Sequence, residues 1–305
     1  MAILERLPDR LAQMWLVEWN GTLGVLRRLD PAPDWAAEAD LAADTAWVHA
    51  FLGRLDGHDL AAPQPLPAFG GQSWTVTSAG TWELVSYLPG DVVSCTPQPP
   101  MEAIGALLAR YHAAAFQAQP AGQRPIAFPL SQVPAVLASA AIHSDGAGTQ
   151  TRLIRQLAGE LAADLRRIGH PRPPEVVIHG DFTNHNVVAA GQPPRPCGVI
   201  DFALAHLESP LADIGYGLWR SGRPYDQATW LDLPRIQRFI RGYTSVRPLS
   251  GHDAAAIEVF LRGRGLQMLA KRVQVRRSDA GRLTQAHWLS VHQQQVTDAL
   301  ADALP

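Results

Sequence analysis

Strand-like patterning comes first along the chain. Positions 14–19, Met-Trp-Leu-Val-Glu-Trp, are aromatic and β-branched enough for a strand. Asn20-Gly21 follows, the strongest short hairpin signal, and 22–29 reads as the return strand. Asp34 is placed as the N-cap of a helix over 35–52. Two more strands are expected near 72–78 and 81–88, turning at Ala79-Gly80, and Pro89-Gly90 ends the run. The period then lengthens. Ile104, Leu107, Leu108 and Tyr111 recur at helical spacing over 101–116, and a Pro- and Ser-rich passage covers about 119–135. A second helix is expected over 151–168, broken by the prolines at 171–174. Short apolar strands are read at 176–179, 187–189 and 198–201, and helices over 211–219, 227–243, 252–273 and 281–303. The layout is an α+β chain, with a strand-rich lobe over 1–89 and a larger, mainly helical lobe over 90–305.

Composition narrows the class. A chain of 305 residues has length for one large domain or two modest ones. It is 47% hydrophobic and 18% charged, ordinary for a globular protein, with formal net charge −2. That balance argues against a nucleic-acid partner, which would call for a basic excess. Cys95 and Cys197 make no disulfide framework and no zinc quartet. No leader with a long apolar core and no membrane span is read, so the default location is the cytoplasm. Lys271 is the only lysine beside 25 arginines, so roles usually given to lysine fall to arginine unless Lys271 fills them.

The chemistry gathers in 176–217. An apolar strand runs into His179-Gly180-Asp181, which puts Asp181 on a strand-end loop. Asn186 comes five residues later, before another apolar run, and Asp201 ends a third. Carboxylate and amide oxygens are hard ligands that suit Mg²⁺ and its phosphate partners. The Asp-x-x-x-x-Asn spacing followed by a later Asp is that of protein kinases, where the first Asp takes the acceptor proton and the others hold metal. Gly180 replaces the Arg of that motif, and Phe202-Ala203 replaces Phe-Gly.

His-Gly-Asp-x-x-x-x-Asn followed by Ile-Asp-Phe closely resembles the aminoglycoside phosphotransferase/choline kinase family of small-molecule kinases. The resemblance is strongest over 175–217, weaker over 84–113 and slight over 25–38. It implies a protein-kinase-like bilobal fold, with a small antiparallel-sheet N-lobe and a mainly helical C-lobe. It implies Asp181 as the catalytic base, Asn186 and Asp201 as Mg²⁺ ligands, and His179 and Asp213 as structural support. ATP or GTP would lie between the lobes, its base against Ser86, Tyr87 and Leu88. Arg27 would stand in for the β3 lysine against the phosphates, paired with Glu38. Arg28 is the alternative, since strand alternation lets one of the two face the cleft. His112 is read as a packed helix residue, His185 as a loop or surface residue, and the nine tryptophans mostly as packing.

One departure matters. About thirteen residues precede Met14 and none is glycine, so the lobe reads as shortened, without the strand and phosphate loop usual before the first hairpin. A non-catalytic kinase-like binding module is therefore the rival to a working kinase, ahead of a metal-dependent hydrolase. Residues 211–305 hold 13 Arg/Lys against 8 Asp/Glu. That balance favours a neutral or anionic hydroxyl acceptor, such as a homoserine-like amino alcohol or a sugar, over a polycationic antibiotic.

Overall fold

The computed structural model describes residues 1–7, 13–29, 41–58, 60–93, 99–122, 124, 128–143, 148–171, 176–224, 230–274 and 280–305. Among these, strands β1 (Ala2–Arg6), β2 (Gln13–Trp19), β3 (Thr22–Leu29), β4 (Trp74–Thr77) and β5 (Gly80–Ser86) form an antiparallel sheet in the order β1-β2-β3-β5-β4. The β2–β3 hairpin turns at Asn20 and Gly21, with φ of 50° and 77°, the left-handed pair that a two-residue turn between twisted strands requires.

Strand β1 corrects the expectation of a lobe short of a strand. It pairs with β2 from Ala2↔Glu18 to Arg6↔Trp15, and the Leu7 amide donates to the Met14 carbonyl at 2.9 Å. All five of its side chains are exposed, so it carries no alternation to read. Residues 8–12, where a phosphate loop would lie, are outside the described residues.

Helix α1 (Leu41–Leu55) covers the described part of the expected helix and runs on to Leu55; residues 30–40, with Asp34 and Trp35, lie outside the described residues. It buries Phe51, Leu52 and Leu55 in the main core. Phe51 meets Tyr111 edge-on at 6.4 Å and Phe202 at 6.2 Å, which joins α1 to α2 (Met101–Gln117) and to the segment after Asp201. Full burial of one such ring stabilises by about 1.5–3 kcal/mol.

Three short pieces of sheet place the loops. Strand β7 (Val176–Ile178) pairs with β10 (His206–Glu208). Strand β8 (Val187–Ala190) pairs with β9 (Arg195–Val199), and β6 (Asp91–Val92) lies on the far edge of β8. Strands β6 and β10 are too short to show a period. Around them pack α3 (Val133–His143), α4 (Thr149–Arg167), α5 (Pro210–Ser221), α6 (Leu233–Thr244), α7 (Gly251–Gln274), α8 (Ala280–Val291) and α9 (Gln293–Ala301). Helix α3 was not expected; Pro134 sits in its first turn, where a missing N–H costs nothing. The helix expected over 281–303 is two, broken at His292. Among the described residues no helix is long and apolar enough to cross a membrane.

Candidate active site

Strand β7 delivers His179-Gly180-Asp181 to a loop anchored from below. Helix α5 starts at Ser209-Pro210 with a capping hydroxyl and a proline at its first position. One turn in, the fully buried Asp213 carboxylate accepts from the amides of His179 at 2.8 Å and Gly180 at 3.0 Å, and from His112 Nε2 at 3.2 Å. Burial opposes its charge, yet the His112 hydrogen bond, the neighbouring imidazoles and the His179 amide hold its carboxyl below the usual range. Burial pushes His112 down against the pull of Asp213. His112 Nδ1 meets the Tyr243 hydroxyl at 2.9 Å. His179 Nε2 meets the Ile200 carbonyl at 2.9 Å, and its Nδ1 accepts from the Asp181 amide at 3.3 Å. His179 and Asp213 thus fix the loop that presents Asp181.

Gly180 makes that turn possible. Its φ is +75°, and a Cβ there would collide with the Leu204 carbonyl oxygen. Gly180→Ala is expected to cost at least about 2 kcal/mol of stability, read as a lowered Tm, and to remove most turnover. An unchanged melt with full activity would contradict this account of the loop.

The loop folds Asn186 back onto Asp181. Asn186 Nδ2 donates to the Asp181 carbonyl at 2.9 Å and lies 3.4 Å from its Oδ2. The Asn186 carbonyl accepts from the Ile200 amide at 2.9 Å, which ties this loop to the residue before Asp201. Asp201 adopts φ 64°, ψ 71°. A non-glycine residue in the left-handed region is strained and is commonly found at functional sites. Its side chain stays 45% exposed and takes Arg27 Nη1 at 2.9 Å. Asp181, Asn186 and Asp201, five and fifteen residues apart in sequence, therefore share one cleft wall.

Arg27, not Arg28, faces this cleft. Its Nε contacts Glu83 Oε1 at 2.6 Å, directly across the β3–β5 ladder. Glu83 Oε2 meets His49 Nε2 of α1 at 2.9 Å, and His49 Nδ1 meets the Ser73 hydroxyl at 2.6 Å. Burial would raise the Glu83 carboxyl, but Arg27 and His49 hold it down to about 2. Burial alone would lower the Arg27 guanidinium, and Glu83 and Asp201 more than offset that. Glu38, the expected partner of Arg27, lies outside the described residues; the described partner is Glu83. Sequence offered one signal for it: Glu83 is a lone carboxylate in the apolar run Trp82-Glu83-Leu84-Val85. His49, on the buried face of α1, had none.

Between sheet and helices lies a cavity of about 390 Å³, lined among others by Val25, Arg27, Val188 and Asp201 and by the predicted hinge residues Ser86, Tyr87 and Leu88. The hinge is pinned: the Gln64 amide donates to the Ser86 hydroxyl at 2.8 Å, and the Tyr87 amide to the Leu23 carbonyl at 2.9 Å. His185, exposed as expected, stands at the cavity's edge and accepts from Arg220 Nη2 at 3.2 Å.

On the other side of Asp181 stands α7. Arg264 Nη2 lies 3.3 Å from Asp181 Oδ1, and its Nη1 donates to Gln267 Oε1 at 2.7 Å. Lys271 lies two turns further on, and burial with the nearby Arg264 pushes it down to about 7 against the pull of Asp181. The lone lysine is therefore placed by α7, leaving the β3 position to Arg27. Arg264 was not singled out from sequence, although Arg264, Gln267 and Lys271 share a helical face at i, i+3 and i+7.

Three comparisons bear on this architecture. A homoserine kinase of Gluconacetobacter diazotrophicus is 28% identical over 256 residues, covering 81% of this chain and 71% of that one. The solved microcompartment-associated aminopropanol kinase superposes with a TM-score of 0.66 at 20% identity, covering 99% of this chain and 93% of the other. The amicoumacin kinase solved with AMP-PNP, Ca²⁺ and amicoumacin gives a TM-score of 0.64 at 18% identity, covering 96% and 87%. These likenesses establish the protein-kinase-like bilobal fold. A sequence model of the phosphotransferase enzyme family matches residues 4–249, from β1 through the end of α6, and the chain belongs to that family.

Proposed function

We propose that this protein is a small-molecule kinase that moves the γ-phosphoryl group of ATP, or of GTP, to a hydroxyl of a small metabolite. The observation that carries the reading is the convergence of Asp181, Asn186, Asp201 and Arg27 on one cleft beside a cavity of nucleotide size. The base lies against Ser86–Leu88, and the phosphates run towards Arg27. A planar guanidinium contacts phosphate oxygens bidentately, so arginine serves where lysine is usual.

The donor set fits Mg²⁺. Asn186 turns its Nδ2 to Asp181, which leaves the amide oxygen as its ligand atom beside the half-exposed Asp201 carboxylate. Two protein oxygens suffice for an ion that keeps waters and phosphate oxygens in its shell. When bound, Mg²⁺ supplies neutralisation of phosphate charge. The rest falls to the chain. Arg27, held by Glu83, exchanges Asp201 for phosphate. Asp181 accepts the hydroxyl proton on a carboxylate oxygen as the acceptor oxygen bonds to the γ-phosphorus. The bridging oxygen to the β-phosphorus leaves with the nucleoside diphosphate. Catalysis is chiefly positioning and charge.

The curated relative named homoserine kinase and the neighbour titled aminopropanol kinase point to a small amino alcohol as acceptor. The rival reading, a binding module without transfer, rested on a lobe without a strand and a phosphate loop before the first hairpin; β1 supplies the strand, and residues 8–12, where the loop would lie, are outside the described residues. The test is calorimetric titration of ATP and GTP with and without Mg²⁺, followed by an acceptor panel. Saturable, Mg²⁺-dependent binding and transfer to a hydroxyl are expected. No binding of either nucleotide at millimolar concentration overturns the reading.

A further inference from the structure

We propose that the acceptor is a hydroxy compound bearing a carboxylate, and that Arg264 and Lys271 of α7 hold that carboxylate beside Asp181. The inference rests on the kinase reading above and names the substrate class of the same site.

Position comes first. Arg264 and Lys271 stand seven residues apart, two turns along one helical face. Arg264 is a built feature. Its side chain is 8% exposed, its Nη1 is fixed by Gln267, its guanidinium carbon lies 5.0 Å from the centre of the Tyr216 ring, and Gln267 is itself tied to the Phe128 carbonyl at 2.6 Å. All of this aims Nη2 at the space where the acceptor must meet Asp181.

Charge comes second. The contact to Asp181 is 3.3 Å, long for a charge-assisted hydrogen bond, which runs near 2.7–2.9 Å. It is a contact that an incoming anion can displace or share. Lys271 is depressed by burial and by Arg264, with Asp181 opposing, so a further anion at this spot restores the charge that burial disfavours. The surroundings reinforce the sign. Arg223 lies 4.3 Å and Arg282 5.9 Å from the Trp219 ring, and Trp219 packs against Gly265, the neighbour of Arg264. Burial, Arg220 and Arg282 bring Arg223 down to about 10. A polycationic acceptor meets repulsion here, whereas a hydroxy acid is drawn in.

The competing account has Arg264 merely orienting Asp181, and kinetics separate the two. With the full-length chain and MgATP, transfer is measured to L-homoserine, to 4-hydroxybutyrate, to 3-aminopropan-1-ol, which is homoserine without its carboxylate, and to glycerol 3-phosphate. The carboxylates are expected to exceed aminopropanol in kcat/KM by about 100-fold or more, since a site built for a charged group rejects the analogue lacking it. Arg264→Gln is expected to raise KM for the carboxylate at least about 30-fold and to collapse that ratio. Lys271→Met supplies the same readout if Arg264→Gln does not fold. Preference for aminopropanol or glycerol 3-phosphate, or an equal kcat loss on every acceptor in Arg264→Gln, overturns the inference. So does no transfer to any of the four while MgATP still binds. Loss of MgATP binding in the wild-type chain instead overturns the kinase reading, and this inference falls with it.

Discussion

Asp181→Asn is expected to lower kcat by about 10³-fold, within the range a positioned general base contributes, while leaving the Kd for MgATP within about twofold. The substitution keeps size and shape, so the loop held by Asp213 and His179 has no reason to move. On the proposed mechanism, what it removes is the ability to accept the acceptor's proton as the new oxygen–phosphorus bond forms. Asp181 is not among the residues lining the nucleotide cavity, so the nucleotide should bind as before. Single-turnover transfer measured beside calorimetry separates the two quantities. Turnover at the wild-type rate would remove Asp181 from the chemistry. Parallel loss of nucleotide binding would mean that the loop had collapsed and that the side chain's role is structural.

The site was legible in sequence to the extent that its residues follow one another along the chain. His179 to Asn186 and Ile200-Asp201-Phe202 are local signals, because strand ends and tight turns dictate them over a few positions, and the structure assembles them into one wall. Asp213, 34 residues from His179, was read as a support through the family resemblance alone. Groups brought in by tertiary packing were not legible. Glu83 reaches Arg27 only because β3 pairs with β5 in a particular register, and His49 reaches Glu83 only because α1 packs beside that sheet. Arg264 reaches Asp181 across 83 residues of chain, and on its helix it is one of three arginines. In the fold, the periodic helices and the Asn20-Gly21 hairpin announced themselves. Strand β1 did not, since its side chains are exposed throughout and its pairing with β2 is recorded in the backbone alone.

Asp201→Asn tests the other half of the wall and should separate two effects that usually travel together. Asparagine tolerates the left-handed backbone almost as well as aspartate, so the φ of 64° at this position is retained. The negative charge is not, and a neutral amide is a far weaker ligand for a hard dication. Mg²⁺-dependent transfer is therefore expected to fall by about 10³-fold or more, since neutralisation of phosphate charge carries much of the catalysis. Nucleotide binding without metal should move the other way. In the wild-type chain Arg27 is shared between Glu83 and Asp201; the Asp201 contact, half open to solvent, is worth about 0.5–1 kcal/mol. Removing it frees Nη1 for phosphate, so metal-free ATP should bind about 2–5-fold more tightly while the gain from Mg²⁺ disappears. Titrations of both proteins with and without Mg²⁺ read this directly. If Asp201→Asn kept the wild-type enhancement by Mg²⁺, Asp201 would not be a metal ligand. If metal-free affinity fell instead of rising, Arg27 would not be the group that exchanges Asp201 for phosphate.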